Sequence, residues 1–349
     1  MIKYLGSKRT LVPVLSALAE ASQAKTAVDL FTGTTRVAQG FKKAGLEVTA
    51  TDLASYSFVF SKTWIETDAN EVSKVELQQA LKHLNSLSGE AGYFTKAFCE
   101  DARYIQPKNG ERIDAIRVEI ERTYRDSWLY YPLLTSLILA ADRVDSTTGL
   151  QMAFLKKWAS RSFNDLELRD PDLLPGTGKA LQGDVMQLVN ELPETELAYL
   201  DPPYNQHRYF ANYHVWETLV RWDEPQTYGI ANKRLDVRDA STKSRFNGRK
   251  DMPLALTELL NNLKAQTVML SYNNEAWLSR EQLIALTERF GRVEVLDFEF
   301  KRYIGSQIGI YNKKGVKVSE PRHKQNIEHV VIAGETNRVA AMLEAIALN

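Results

Sequence analysis

Between Thr26 and Asp52 the chain reads as a strand, a tight turn, a helix and a second strand. TAVDLF has the strand pattern, TGTT makes the turn, RVAQGFKKAG is helical from about Thr35 to a stop at Gly45, and EVTATD is the next strand. Two strands joined through a helix lie parallel, because the crossover returns the chain to the end of the sheet it left. This unit therefore commits the chain to an α/β architecture. The same signals return late, with KALQGDV, LAYLD and QTVMLSY as strands, a helix capped by Ser279 and Gln282 and closing at Gly291, then RVEVLDFEF and EHVVIAG.

Residues 61 to about 178 break that rhythm. Their pattern is mostly helical, as in RIDAIRVEIERTYRDSWLYYPLLTSLILAADRV, and they read as an insertion into a sheet domain formed by residues 1–60 and 179–335. A terminal helix is expected over 336–349. The stretch KRLDVRDASTKSRFNGRK, residues 233–250, carries seven Lys or Arg against two Asp and reads as a mobile polar loop, either solvated or in contact with phosphates. Near the start, Lys8 and Arg9 followed by LVPVLSALAEA imitate a signal peptide. The preferred reading is an amphipathic helix with Thr10 as N-cap, Pro13 in its first turn, and Leu11, Val14, Leu15 and Leu18 on one face.

Charge and cysteine usage narrow the function classes. With 44 basic and 44 acidic residues, any attraction to a polyanion has to come from local patches. A single cysteine, Cys99, excludes an internal disulfide and fits a reducing cytoplasm. Five histidines and one cysteine show no metal-ligand spacing, and no GxxxxGKS/T loop is present, so neither a metal nor ATP hydrolysis is expected. No apolar run is long enough to span a membrane.

Two motifs carry chemistry. In DLFTGTT a strand delivers Asp29, Leu30 and Phe31 into a turn where Gly33 lets backbone approach a ligand, and Asp52 closes the next strand nineteen residues later. An acid in that place binds the two hydroxyls of a ribose. On these residues alone a nicotinamide cofactor, another nucleoside or a plain βαβ turn all remain open, since the GxGxxG fingerprint is incomplete. The second motif is DPPY, residues 201–204, at the end of the strand-like LAYL. Pro202 cannot donate to a sheet ladder, so the strand stops and leaves Asp201 at its carboxyl end, where ligands gather in open α/β sheets. An exocyclic amino group on a base is a poor nucleophile, because its lone pair is delocalised into the ring. The Asp201 carboxylate and the rigid carbonyl of Pro202 can hold both N–H bonds and turn that lone pair toward a methyl donor, while Tyr204 stacks on the base.

With these residues in view, the sequence resembles the Dam-like, α-ordered class of S-adenosylmethionine-dependent DNA adenine-N6 methyltransferases. The resemblance rests on KYLGSK, DLFTGTTRVAQGF, Asp52 in TDL, GDV at 183–185, DPPY, SYNNE and KRYIGSQIGIYN, in that order. It implies a Rossmann-like methyltransferase sheet, mostly parallel with an antiparallel final strand, and a largely helical inserted recognition domain. It further implies that Tyr4 and Lys8 hold the methionine part of S-adenosyl-L-methionine, Phe31 and Gly33 line its site, Asp52 binds the ribose, and Asp184 and Val185 meet the adenine. Asp201, Pro202 and Tyr204 then form the target-base site.

The resemblance also implies base flipping from double-stranded DNA, with residues 205–250 as a DNA-contacting loop, and a monomer or weak dimer that acts with or without a separate restriction endonuclease. Arg112, Arg117, Arg122 and Arg125 are candidate DNA contacts or ordinary helix-surface charges, and Tyr209 and Tyr213 are candidate walls of the base pocket or core residues. His207 and His214 read as polar contacts. Where the class often has a second glycine in an FxGxG pattern, this chain has Thr35, which leaves the local turn open. An RNA adenine or DNA cytosine-N4 methyltransferase is the alternative. Cys99 lies outside any Pro-Cys pair, which argues against a C5-cytosine mechanism.

Overall fold

The computed structural model describes residues 2–203, 206, 208–301, 310–311, 317–319 and 325–347. Tyr204, His207 and most of KRYIGSQIGIYN lie outside the described residues. The strands are β1 (Thr26–Asp29), β2 (Glu47–Asp52), β3 (Gly178–Gln182), β4 (Thr195–Leu200), β5 (Thr227–Tyr228), β6 (Lys233–Arg234), β7 (Ala265–Asn273), β8 (Arg292–Lys301), β9 (Ile310–Tyr311), β10 (Lys317–Ser319) and β11 (Gln325–Gly334). Seven of them form one sheet in the order β3-β2-β1-β4-β7-β11-β8. Every neighbouring pair is parallel except those of β11, which runs antiparallel to both β7 and β8. The mostly parallel sheet with an antiparallel final strand is thus the expected one.

Alternation along the strands sorts the core into two faces. Ala27, Leu197, Tyr199, Met269, Val330 and Ile332 belong to one buried apolar cluster, and Val28, Ala198, Leu200, Val268, Leu270 and Val331 to the other. Each pair of successive residues is split between the faces, as a two-residue period requires. Helices α1 (Val12–Ala21), α2 (Arg36–Lys43) and α12 (Thr336–Ala347) bring Leu15, Phe41 and Met342 to the first cluster. On the second, α7 (Val185–Glu191), α10 (Asp251–Asn262) and α11 (Arg280–Thr287) supply Val189, Leu256 and Leu283.

Helix α1 carries Pro13 in its first turn and buries Leu11, Leu15 and Leu18, as the sequence suggests. Its cap differs from the expected Thr10, because Leu11 is the N-cap and no side chain bonds there. The Lys8 carbonyl instead accepts from the N–H groups of Leu11 and Val12, at 2.8 and 3.0 Å, so a backbone turn does the work of a polar cap. Ser279 and Gln282 do form the reciprocal capping box on α11.

Between β2 and β3 run α3 (Ser55–Ser61), α4 (Lys74–Ser86), α5 (Pro107–Tyr124) and α6 (Tyr130–Arg143), with π-helical turns at Lys62–Glu66 and Thr95–Glu100. Their apolar faces, including Phe60, Leu84, Ile113 and Leu137, join the first cluster, so this segment shares a core with the sheet. After β4 come the short α8 (Tyr209–Asn212) and α9 (His214–Arg221).

Candidate active site

Asp29 ends β1 and stands opposite Tyr199 of β4, and the Leu30 N–H donates to the Tyr199 carbonyl at 3.1 Å. The DLFTG turn and the DPP turn are therefore neighbours at the point where the sheet order reverses direction. A cleft of about 1110 Å³, open to solvent, lies over them. It is lined by seven of the expected cofactor residues, Tyr4, Lys8, Phe31, Gly33, Asp52, Asp184 and Val185, and by Asp201. Pro203 also faces it, whereas Pro202 is buried in the turn.

The cofactor-type turn is held by its own backbone. Gly33 sits at φ 51, and its N–H donates to Asp52 Oδ2 at 2.8 Å, while the Ala54 N–H donates to Oδ1 at 2.9 Å. A Cβ on Gly33 would come within 3.2 Å of the Tyr4 ring, so backbone alone fits. Thr35, where a glycine is common in the resembling class, adopts φ 61, the left-handed conformation that glycine tolerates best. Its amide donates to the Thr32 carbonyl at 2.7 Å, and its hydroxyl accepts from Gln39 Nε2 at 2.8 Å. The turn open from sequence is thus kept, at a conformational cost of about 1 to 2 kcal/mol. Asp184 caps α7 by accepting from the Met186 N–H at 2.9 Å, and Val185 packs beneath it.

Tyr4 stacks against both Tyr209, at 5.3 Å, and Tyr213, at 4.7 Å between ring centroids, and those two rings lie 6.4 Å from each other, so the three form a cluster. Tyr213 is fully buried and its hydroxyl accepts from the Leu5 N–H at 2.6 Å, so it anchors the KYLGSK segment. Tyr209 lines the cleft. Of the two candidate walls, one is a core residue and one faces the site.

The Lys8 ammonium reaches two acids, Asp201 Oδ1 at 2.9 Å and Glu328 Oε1 at 2.8 Å. Its side chain is 8% exposed, against 19% for Asp201 and 6% for Glu328. Burial pushes Asp201 up to about 6, with Lys8 opposing the rise and Glu328 adding to it. Burial likewise raises Asp29 to about 7, against hydrogen bonds from Thr32 and Phe31 and with Asp201 and Asp52 reinforcing it. Asp52 is raised by burial against its bonds from Ala54 and Gly33. The floor of the cleft is acidic, and its carboxylates are desolvated.

Several contributors were not legible in sequence. Glu328 comes from β11, and Thr242, Ser244 and Asn247 come from the basic 233–250 stretch. That stretch is tied down by three 3₁₀ turns, by Phe246 packed edge-on against Phe31 at 5.0 Å, and by buried Arg234, which is forked between Asp223 and Asp236. The candidate arginines of the inserted segment are engaged within the chain. Arg117 is buried and donates to the carbonyls of Leu219 and Val220, at 2.9 and 3.0 Å. Arg122 pairs with Glu119, Arg125 with Glu121, and Arg112 donates to the Asn85 carbonyl. His214 is a core residue bonded to the Gln151 carbonyl at 2.9 Å.

Known proteins resemble this chain over most of its length. Modification methylase StsI of Streptococcus sanguinis is 31% identical over 323 residues, which are 86% of this chain and 49% of that protein. Type II methyltransferase M.NlaIII of Neisseria lactamica is 29% identical over 337 residues, 92% of this chain and 98% of that protein. Type II methyltransferase M.CviAII of Paramecium bursaria Chlorella virus 1 is 28% identical over 319 residues, 86% of this chain and 92% of that protein. The chain thus spans about half of StsI and nearly all of M.NlaIII. Residues 4–286, which hold YLGSK of the amino-terminal segment, both carboxyl-end turns and the helices between β2 and β3, match one family throughout, and the chain belongs to the D12 class N6 adenine-specific DNA methyltransferases.

Proposed function

We propose that this chain transfers a methyl group from S-adenosyl-L-methionine to the N6 amino group of an adenine flipped out of double-stranded DNA, and that it is of the Dam-like, α-ordered class. The observation that carries the reading is the placement of Asp201, an acid at a strand's carboxyl end, on the same cleft as the acid-and-glycine turn of Asp52 and Gly33. The order along the chain, with the cofactor-type turn first, a long helical segment next and DPPY last, supports the α-ordered class.

The cleft suits that cofactor. Asp52 offers two oxygens to a ribose diol, and Asp184 offers a carboxylate to an exocyclic amine. The missing Cβ of Gly33 gives room, and the acidic floor of Asp29 and Asp201 favours a sulfonium charge. Tyr4, Phe31 and Val185 supply the apolar surface. Bound there, the cofactor supplies an electrophilic methyl on a cationic sulfur.

On the target side, Asp201 and the Pro202 carbonyl accept the two N–H bonds of the adenine amino group, so the lone pair is directed along the line of transfer. Asp201, raised to about 6, is ionised at neutral pH and takes up the proton that the nitrogen sheds. Alignment of this kind supplies up to roughly 7 to 11 kcal/mol of the barrier reduction. Extruding the base costs a few kcal/mol, and stacking on Tyr204 returns about 1 to 3.

Residues 61–178 serve as the target-recognition region of the discontinuous domain 1–60 and 179–335, and residues 205–250 as the strand-contacting one. The chain, of bacterial, archaeal or phage-encoded origin, acts in the cytoplasm as a monomer or weak dimer, with or without a partner restriction endonuclease. The test is transfer of labelled methyl to unmethylated duplex DNA, with structured RNA in parallel and the modified bases mapped. N6-methyladenine in one short DNA motif is the expected result, whereas label confined to RNA or to cytosine overturns the reading.

A further inference from the structure

We propose that Glu328 is a positioning residue for methyl transfer, acting through the Lys8 ammonium on the Asp201 carboxylate; this rests on the function proposed above. Glu328 lies on β11, opposite Asn273 of β7 and Phe298 of β8, in a strand whose next residues include the fully buried Val330, Val331 and Ile332. An acid that deep costs several kcal/mol unless it is paired. It does not line the cleft, and it falls beyond residues 4–286, the part matched to the family. Its partners are Lys8 Nζ at 2.8 Å and the Asn273 amide, which donates to Oε2 at 3.4 Å.

The arrangement solves an electrostatic problem. A lysine paired with Asp201 alone would spend that carboxylate's acceptor strength on the ion pair and leave little for an amino group. A second carboxylate on the same ammonium draws the cation back, so the cluster of two acids and one base carries a net negative charge that Asp201 presents to the cleft. Geometry points the same way. Oδ1 of Asp201, the oxygen facing Lys8, is buried, so the partial exposure of the side chain leaves Oδ2 to accept from a substrate. Lys8 is gripped from two elements that do not share a loop, which fixes the plane of the Asp201 carboxylate.

Asp201 is faced by Lys8 from the amino-terminal segment, by Glu328 from β11, by Asp29 from β1 and by Tyr199 from its own strand β4. His329, next along β11, is engaged with Asp297 of β8 at 2.6 Å.

The experiment compares full-length wild type with the isosteric Glu328→Gln and the shortened Glu328→Asp. Glu328→Gln should keep its thermal midpoint and its cofactor Kd within about threefold while kcat falls roughly tenfold or more. With Glu328 neutral, the whole Lys8 charge falls on Asp201, so the acid limb of the kcat profile should move to lower pH, and Glu328→Asp should recover part of both effects. Titration of the Asp201 carboxyl by ¹³C NMR in the protein without substrate should move down in the same variant, a readout that needs no turnover. An unchanged kcat, or a loss of kcat with the acid limb and the Asp201 titration unmoved, would overturn the proposal. Wild type that methylates no nucleic acid would sink the functional reading instead, and the NMR titration then decides the electrostatic linkage alone.

Discussion

The Lys8 ammonium lies 2.9 Å from Asp201 Oδ1, which ties the amino-terminal KYLGSK segment to the DPPY turn. Lys8 was expected to serve the cofactor, and it does line the cleft, but its nearest charges are Asp201 and Glu328. The experimental consequences for Lys8 and Asp201 are therefore linked.

Replacing Asp201 with alanine should lower methyl transfer by at least about 100-fold, since general acid–base and preorganised acceptor contributions are of that order. Cofactor affinity should stay within a few-fold, as measured by calorimetry. In wild type, kcat should fall as pH drops through about 6, because burial holds the Asp201 pKa there and only the ionised form accepts both proton and hydrogen bond. A profile flat down to pH 5 would contradict that role.

Lys8→Ala leaves two buried carboxylates facing one another. The expected loss of stability is about 3 to 5 kcal/mol at pH 8. Without the cation, which opposes the rise that burial imposes on Asp201, the folded chain binds a proton on Asp201 still more tightly than the unfolded chain does, so lowering the pH restores part of the loss. Denaturant unfolding at pH 8 and pH 5 checks this, and an equal deficit at both would argue against the coupling. Cofactor affinity should also fall.

The turn over β1 predicts opposite outcomes for two neighbours. Gly33→Ala forces a Cβ toward Tyr4 at φ 51 and should cost about 1 to 2 kcal/mol together with cofactor affinity. Thr35→Gly removes left-handed strain but also a hydroxyl bond and some backbone restraint, so its stability should stay within about 1 kcal/mol of wild type. Thermal melts with and without cofactor separate the two.

His214 should contribute an acid instability. Burial lowers its pKa to about 3, against the bond to the Gln151 carbonyl, which fixes the proton on Nε2. The unfolded chain titrates near 6.5 and so binds the extra proton first. Stability from this group is complete above that pH and is lost by about 1.4 kcal/mol per unit as pH falls toward 3. The difference in unfolding free energy between wild type and His214→Gln, followed from pH 7 to 4.5, should shrink with that slope.

Local rules made much of the architecture legible. The βαβ unit from Thr26, the Ser279 capping box and the strand-breaking prolines after Leu200 each depend on neighbouring residues, and each stands as read. The Arg117 guanidinium shows the limit, because its helix pattern is compatible with a surface charge and only the approach of α9 turns it into a partner for buried carbonyls. Phe246 and Arg234 are similar, since a stretch with seven basic residues reads as solvated until its two anchors are seen inside.

By itself the sequence determined the α/β class, the two carboxyl-end turns and the chemistry that an acid, a proline carbonyl and an aromatic ring can perform. Hydrophobic period, turn residues and the missing proline N–H act within a few residues, so they can be read along the chain. Only the tertiary structure decided that β11 enters between β7 and β8, and with it that Glu328 meets Lys8 beside Asp201. That meeting joins three distant segments through charge–charge interaction in a desolvated site, which depends on distance in space and leaves no periodic trace in the order of residues.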